Sequence, residues 1–242
     1  RESPITPENI AVLPQSNLGS KQVRPVTIEG ITYFVQRTGK AIQSLVYLDE
    51  YQANQVKNVS VIASHLIKNP VELAVSQGTE ETDANYIYIL NDDGTLTVLN
   101  SLVSEEVQGF TKWNTALDSS ADGFIDSICV SDDTLYMYVR RTTNSVPKYF
   151  LERENTDYQM DSVVVDTTDD DEITGLDHLE GETVWAKADG SFMGEFTVTS
   201  GVITLPRTSD DKEAGLEFIP EIVTMPLNIN TQKGPDRKST RL

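Results

Sequence analysis

The sequence predicts an all-β protein, with propeller-like antiparallel blade repeats followed by a small β-barrel or meander domain. Three observations lead there. Runs rich in Tyr, Val, Ile and Phe alternate with Gly- and Asp-containing turns, the pattern of strands joined by hairpins. The same hairpin is written three times at a period of about fifty residues, the spacing of propeller blades. Beyond Asp161 the character changes to an acidic break followed by shorter strands.

Each segment follows from its residues. Positions 1–22 carry Pro4, Pro7, Pro14 and Gly19 among polar residues and read as an extended lead-in. Positions 23–158 hold the blade repeats. The first contains runs Val23–Thr27, Ile31–Val35 and Ile42–Leu48, with a turn at Arg37–Lys40. The second contains Val71–Val75, Tyr86–Leu90 and Thr95–Leu99, turning through Asn91-Asp92-Asp93-Gly94, with a further run at Val107–Trp113. Gly at the end of that turn tolerates the positive φ that other residues resist. The third runs from Ile125 to Val130, turns at Ser131–Asp133, continues from Thr134 to Val139, and returns after a longer loop from Lys148 to Arg153. Tyr33, Tyr88 and Tyr138 are expected on equivalent strands of successive blades.

Positions 159–228 form the small β domain. Val163–Val165 lead into the acidic run Asp166–Glu172, then three strands follow with turns at Leu179–Gly181, Ala188–Gly190 and Ser200–Gly201. Leu216–Leu227 is expected as a last strand-like stretch, interrupted by Pro220 and Pro226. Positions 229–242 are polar and basic, with Lys233, Arg237, Lys238 and Arg241, and are expected as a flexible tail. The start at Arg1 rather than Met suggests a piece of a longer polypeptide. No apolar run reaches bilayer-spanning length, and no signal-peptide pattern opens the chain.

Charge bounds the function. With 38 acidic against 19 basic residues the net charge is −19, the opposite of what tight phosphate binding requires. A surface past which nucleic acid slides without sticking is compatible with it, and so is a plain solubilising role.

The chemical motifs are weak. Asp118-Ser119-Ser120-Ala121-Asp122-Gly123-Phe124-Ile125-Asp126 begins like a calcium loop, with oxygens at the first, third and fifth positions and Gly at the sixth. Its twelfth position is Cys129 rather than the bidentate Glu, so a turn between blades is the better reading. Asp166–Glu172 reads as a solvated loop rather than a chelate. Cys129, the only cysteine, lies in the apolar run Ile128-Cys129-Val130 and reads as a buried, inert thiol. His65 and His178 stand isolated and suit surface or capping roles. Asn58-Val59-Ser60 matches a glycosylation sequon but lacks a secretory context. The sequence contains no phosphate loop, dinucleotide fingerprint, nucleophile elbow or zinc spacing. No catalytic, cofactor-binding or metal residue is assigned, and no enzymatic activity is expected.

Two passages resemble a known family. Ser3–Tyr47, "SPITPENIAVLPQSNLGSKQVRPVTIEGITYFVQRTGKAIQSLVY", is similar to a phage and prophage tail segment in which a Pro- and Gln-containing lead-in precedes a "VRPV…FVQR.G" strand pair. Glu152–Ser162, "ERENTDYQMDS", followed by Ile173–Ser191, "ITGLDHLEGETVWAKADGS", is similar to that family's "GL.HLEG.TV…ADG" block, in the same order. With the blade repeats, the resemblance spans about Ser3 to Leu227. The family is the podovirus-type tail nozzle, the tail tubular protein B-like proteins.

The resemblance implies a structural virion component, made in the bacterial host cytoplasm and assembled into the phage tail. It implies a homo-oligomer, usually a hexamer, that meets the adaptor ring and tail-fibre proteins and forms the distal channel through which DNA is ejected. Its motifs are structural, so they transfer no active-site residue. The chain is far shorter than a complete nozzle protein, and the expected downstream strands are not visible after Asn228. Two alternatives are a bacterial β-propeller module binding carbohydrate or protein, and a propeller glycosidase. Trp113 and Trp185 are too few to argue an aromatic binding face, and abundant carboxylates make any pairing argument empty.

Overall fold

The computed structural model describes residues 6–7, 16–49, 53–78, 84–102, 107–115, 123–217, 220–223, 229–231 and 234–236. These residues are all-β, apart from single 3-10 turns at Ser64–Leu66 and Asp177–Leu179. The first sheet is β1 (Val26–Ile28), β2 (Ile31–Val35), β3 (Ile42–Leu48) and β4 (Ala53–Asn58), paired in chain order. The second is β5 (Glu72–Ser76), β6 (Asn85–Leu90), β7 (Leu96–Leu102) and β8 (Val107–Trp113), again in chain order. The third has three strands, β9 (Gly123–Ser131), β10 (Thr134–Thr143) and β11 (Val146–Arg153). All pairings are antiparallel.

Turn chemistry sets the registers. Glu29–Gly30, Asp132–Asp133 and Asn144–Ser145 each place two consecutive residues at positive φ between strands, the backbone of the tight hairpin turn whose twist suits the flanking strands. The expected longer loop before Lys148 is therefore one of these tight turns, and β10 runs on to Thr143. Strand β4, which the sequence did not signal, completes the first sheet. At the β6–β7 turn Gly94 is required twice over. Its φ is +77°, and a Cβ there would lie 2.5 Å from the Phe124 ring.

Alternation along the strands gives the sheets two apolar faces, and these stack them in series. One face of the second sheet (Ile87, Ile89, Leu99) packs against Tyr33, Val35 and Ile42 of the first. Its other face (Tyr88, Leu90, Leu96, Val98) packs against Ile125, Ile128, Leu135 and Val139 of the third. The first strands of successive sheets lie beside each other, β1 against β5 and β5 against β9. Polar ties reinforce the stack: Asn85 donates to Glu29 at 2.7 Å, and the Glu72 carboxylate accepts from Ser127 Oγ and Ile128 N at 2.9 Å each.

Tyr33, Tyr88 and Tyr138 do occupy the second strand of each sheet. Tyr33 and Tyr88 are 1% and 2% exposed because each faces the sheet that follows, whereas Tyr138 is 44% exposed.

The lead-in docks at its end. Ser20 bridges Gln36, and Lys21 Nζ donates to the carbonyls of Asn69 and Pro70 and to Asn69 Oδ1.

The remaining strands are β12 (Asp161–Asp166), β13 (Asp170–Ile173), β14 (Thr183–Ala188), β15 (Ser191–Thr197), β16 (Ile203–Ser209) and β17 (Lys212–Leu216). One sheet has the order β12-β17-β14-β15 and β13 pairs β16, with a common core of Ile173, Leu176, Leu179, Val184, Ala186, Leu205 and Leu216 among others. Of the expected small β-barrel or meander, the non-consecutive order corrects the meander: β17 inserts between β12 and β14. Small residues permit the insertion. Val164, Ala214 and Ala186 stand side by side across the three strands. A Cβ on Gly215 would lie 2.7 Å from the Asp161 carbonyl, where β12 bulges.

Two boundaries differ from expectation. The acidic run contains β13, and the last strand of this unit is Lys212–Leu216 rather than Leu216–Leu227, of which the described residues 220–223 are not strand. Within the segment expected as a tail, β18 (Ile229–Thr231) pairs β19 (Gly234–Asp236).

Candidate functional site

The sites raised by the sequence fall into separate places. Of the calcium-like loop, Asp118–Asp122 lie outside the described residues. Gly123–Asp126 are the start of β9, where Ile125 is buried in the core and Asp126 pairs with Arg140 at 3.3 Å. Cys129 is exposed, a correction to the buried thiol expected. Strand alternation explains it, because Ile128 points into the core between the second and third sheets and Cys129 therefore points out. His65 is exposed in its 3-10 turn. His178 joins two units: its Nε2 lies 3.2 Å from the Ser162 carbonyl, and its ring meets Phe150 edge-on. Asn58 serves a turn, accepting from Ser60 N at 3.0 Å and Ser60 Oγ at 3.1 Å. Trp113 contacts Tyr88 edge-on and Trp185 contacts Phe192 likewise, so the tryptophans belong to different units.

The acidic segment is organised around an ammonium group that the sequence reading did not single out. Lys212 Nζ has no exposed surface and donates to the Asp170 carboxylate, to the Asp170 carbonyl at 3.2 Å and to the Glu172 carbonyl at 2.5 Å. The Lys212 hydrogen bond and the Glu172 N–H hold the Asp170 carboxyl below its usual range. The Thr168 N–H, then that of Thr174, hold Asp166 low in the same way. Glu180 is depressed by accepting from Ser200 N at 2.9 Å and Gly201 N at 2.8 Å. A lysine thus occupies the position in which a chelated cation would sit. Among the described residues no group of three or more His, Cys, Asp or Glu is placed to hold a metal ion.

A second polar cluster ties the third sheet to the small domain. Arg141, fully buried, makes a two-pronged pair with Glu152, Nε to Oε1 and Nη2 to Oε2 at 2.8 Å each, and also reaches Thr115 Oγ1. Ser162 Oγ donates to Glu152 at 3.1 Å, and Asn144 N to Glu182 at 2.9 Å. Between the second and third sheets the Tyr88 hydroxyl donates to Glu154 at 3.2 Å. Burial pushes the Glu154 carboxyl up, partly offset by that hydrogen bond; burial and then the Glu154 charge push the Tyr88 hydroxyl up.

Two clefts stand out among the described residues. One of about 410 Å³ borders Phe196, Ser200 and Ile203, and one of about 400 Å³ lies between the first and second sheets beside Tyr33, Val46 and Leu102. Each has a single charged side chain on its wall, Glu172 or Lys57, so neither sets an acid against a base.

A group of exposed apolar side chains lies on the outer face of the third sheet. Tyr138 stacks on Tyr149 with centroids 5.5 Å apart and planes 10° apart, and Leu151, directly opposite Tyr138, is 74% exposed. No helix among the described residues is long and apolar enough to cross a membrane. In comparison with known proteins, no family model and no curated protein matches the chain.

Proposed function

We propose that the chain is a structural component of a phage tail nozzle, with its three stacked sheets acting as blades of a propeller-like ring beside the DNA ejection path. The observation that carries this reading is the series arrangement. The middle sheet is covered on both faces by sheets of the same kind, and first strands neighbour first strands, as in radial blade packing. The passages resembling tail nozzle proteins, Ser3–Tyr47 and Glu152–Ser162 followed by Ile173–Ser191, support the same reading.

The net charge of −19 suits a surface that DNA must pass. Each Lys or Arg on such a path would displace counterions and hold a phosphate, creating a well that slows a moving polymer. Acidic side chains repel phosphates, over roughly 8 Å at physiological salt. The buried cations support this division of labour, since Arg141 and Lys212 are consumed by internal pairs.

Gold-labelled antibody against the 242 residues, applied to purified particles of a tailed phage encoding the chain, tests the assignment. Label at the distal tail supports it, and label confined to the head or to lysate debris sinks it.

A further inference from the structure

We infer that the chain segment carrying Glu221, Ile222 and Val223 adds to the open edge of β11 as the fourth strand of the third sheet, with Glu221 opposite Arg153 and Val223 opposite Leu151. The inference rests on the reading of the sheets as blades, not on the assignment to a phage tail.

Hydrogen-bond parity defines the edge. The first two sheets each carry a fourth strand, β4 beside β3 and β8 beside β7, whereas the third ends at β11. The chain leaving β11 does not supply one, because it turns at Thr156–Asp157 and enters β12, in another sheet. The two-residue turn Asn144–Ser145 makes Thr143 and Val146 the first hydrogen-bonded pair of the hairpin, so even-numbered residues of β11 turn their N–H and C=O toward β10. Glu154 N continues that series by donating to Leu135 O at 2.8 Å. Tyr149, Leu151 and Arg153 turn their backbone groups outward, and among the described residues no backbone hydrogen bond reaches them from beyond the sheet. Pro147, of the same parity, has no N–H to leave unpaired. Tyr149 and Leu151 are 56% and 74% exposed. Such an edge is a template for one more strand.

The path of the chain after β17 selects the occupant. Leu216 stands opposite Asp161, the first residue of β12, and the two strands are antiparallel, so beyond Leu216 the chain heads back toward the end of β11. It leaves beside the link between β11 and β12, since a Cβ on Gly215 would lie 3.0 Å from Met160 Cβ. From Leu216 to Glu221 an extended chain covers roughly 16 Å, while the link from Glu154 to Met160 is shortened by its turn. Pro220–Val223 lie outside any sheet, and Ile222 and Val223 are each 85% exposed.

Proline sets the register. Its nitrogen cannot donate and must face away from a neighbouring strand. Pro220 and Pro226 are both even-numbered, so the odd-numbered residues of the segment are the ones that can bond the edge of β11. Glu221 opposite Arg153 pairs opposite charges, both exposed, and Val223 then covers Leu151. Ile222, on the other face, lies diagonal to Phe150. A shift of two residues would set Glu221 against Leu151 instead.

Hydrogen exchange followed by NMR in the 242-residue chain tests this. The Leu151 and Tyr149 amides should exchange at least about a hundredfold more slowly than in an unfolded chain. Val223→Asp should remove most of that protection, and so should Glu221→Arg, which the charge-swapped Glu221→Arg/Arg153→Glu pair should restore. These positions are exposed outside the proposed strand, so the variants retain the rest of the fold. A fast Leu151 amide in the wild type, protection indifferent to Val223→Asp, or no recovery in the charge swap would each overturn the inference. Protection that falls on tenfold dilution would overturn it too, by assigning the strand to a second molecule. The Ile87 and Ile89 amides separate the underlying reading: slow exchange there with a fast Leu151 removes only the fourth strand, and fast exchange at all three refutes the blades themselves.

Discussion

The Arg141 guanidinium lies flat against the Glu152 carboxylate from the neighbouring strand, both contacts at 2.8 Å, with the arginine fully buried. Removing one partner would strand a charge without water. Glu152→Ala should therefore destabilise the chain by about 3–5 kcal/mol, the usual cost of breaking a buried pair. Urea unfolding measures it, and a loss within error of zero would mean that the pair is solvated.

Asn91 should be nearly as sensitive, without any charge. It is 1% exposed, its side-chain amide donates to Leu66 O, Thr95 Oγ1 and Thr97 Oγ1, and its Oδ1 accepts from Lys68 N at 2.9 Å. Asn91→Ala leaves several buried groups unpaired and should cost about 2–3 kcal/mol. A thermal melt or denaturant midpoint checks this.

These two residues mark what the sequence conceals. The hairpins were legible because Asp and Gly at the turns and β-branched or aromatic residues in the strands announce themselves locally. Strand β4, "ANQVKN", was not, because an outer strand with little buried surface needs no apolar alternation. The tight turn Asn144–Ser145 hid behind the polar run before it. Arg141 and Lys212 look like ordinary strand cations, and only the fold brings Glu152 and Asp170 to them. Cys129 lies in a uniformly apolar run, which conceals the strand alternation that turns it outward.

The two units should respond differently to acid, because the small domain holds three carboxyls low, whereas in the sheets Asp93 is held low and Glu154 is raised. Asp166, Asp170 and Glu180 have folded values held below the unfolded ones, so their stabilisation is present above the ordinary carboxylate range near 4 and is lost as pH falls through the folded values. Glu154 is raised, so its contribution is greatest when protonated and declines as pH rises from its unfolded value through its folded one. Trp185 reports on the small domain and Trp113 on the sheets. In single-tryptophan variants, acidification should shift Trp185 emission at higher pH than Trp113. Lys212→Met should lower stability at neutral pH and flatten the dependence of the small domain.

Gly94→Ala should be costly for a steric reason that propensity alone understates. The position combines positive φ with a ring in the space a methyl would need. A loss of about 2 kcal/mol or more is expected, above the roughly 1 kcal/mol of an unhindered left-handed site. Phe124→Ala in the same background should recover part of it by opening that space, and equal losses in both backgrounds would show that the ring is not the obstacle.

The assignment to a DNA-conducting tail is tested most directly by a density map of the assembled virion of a phage encoding this chain. The account predicts the three sheets within a ring around the tail axis, with Asp and Glu outnumbering Lys and Arg on the side facing the lumen. A basic lumen would contradict the repulsion mechanism while leaving the location intact, and density for the chain outside the tail would contradict the assignment itself.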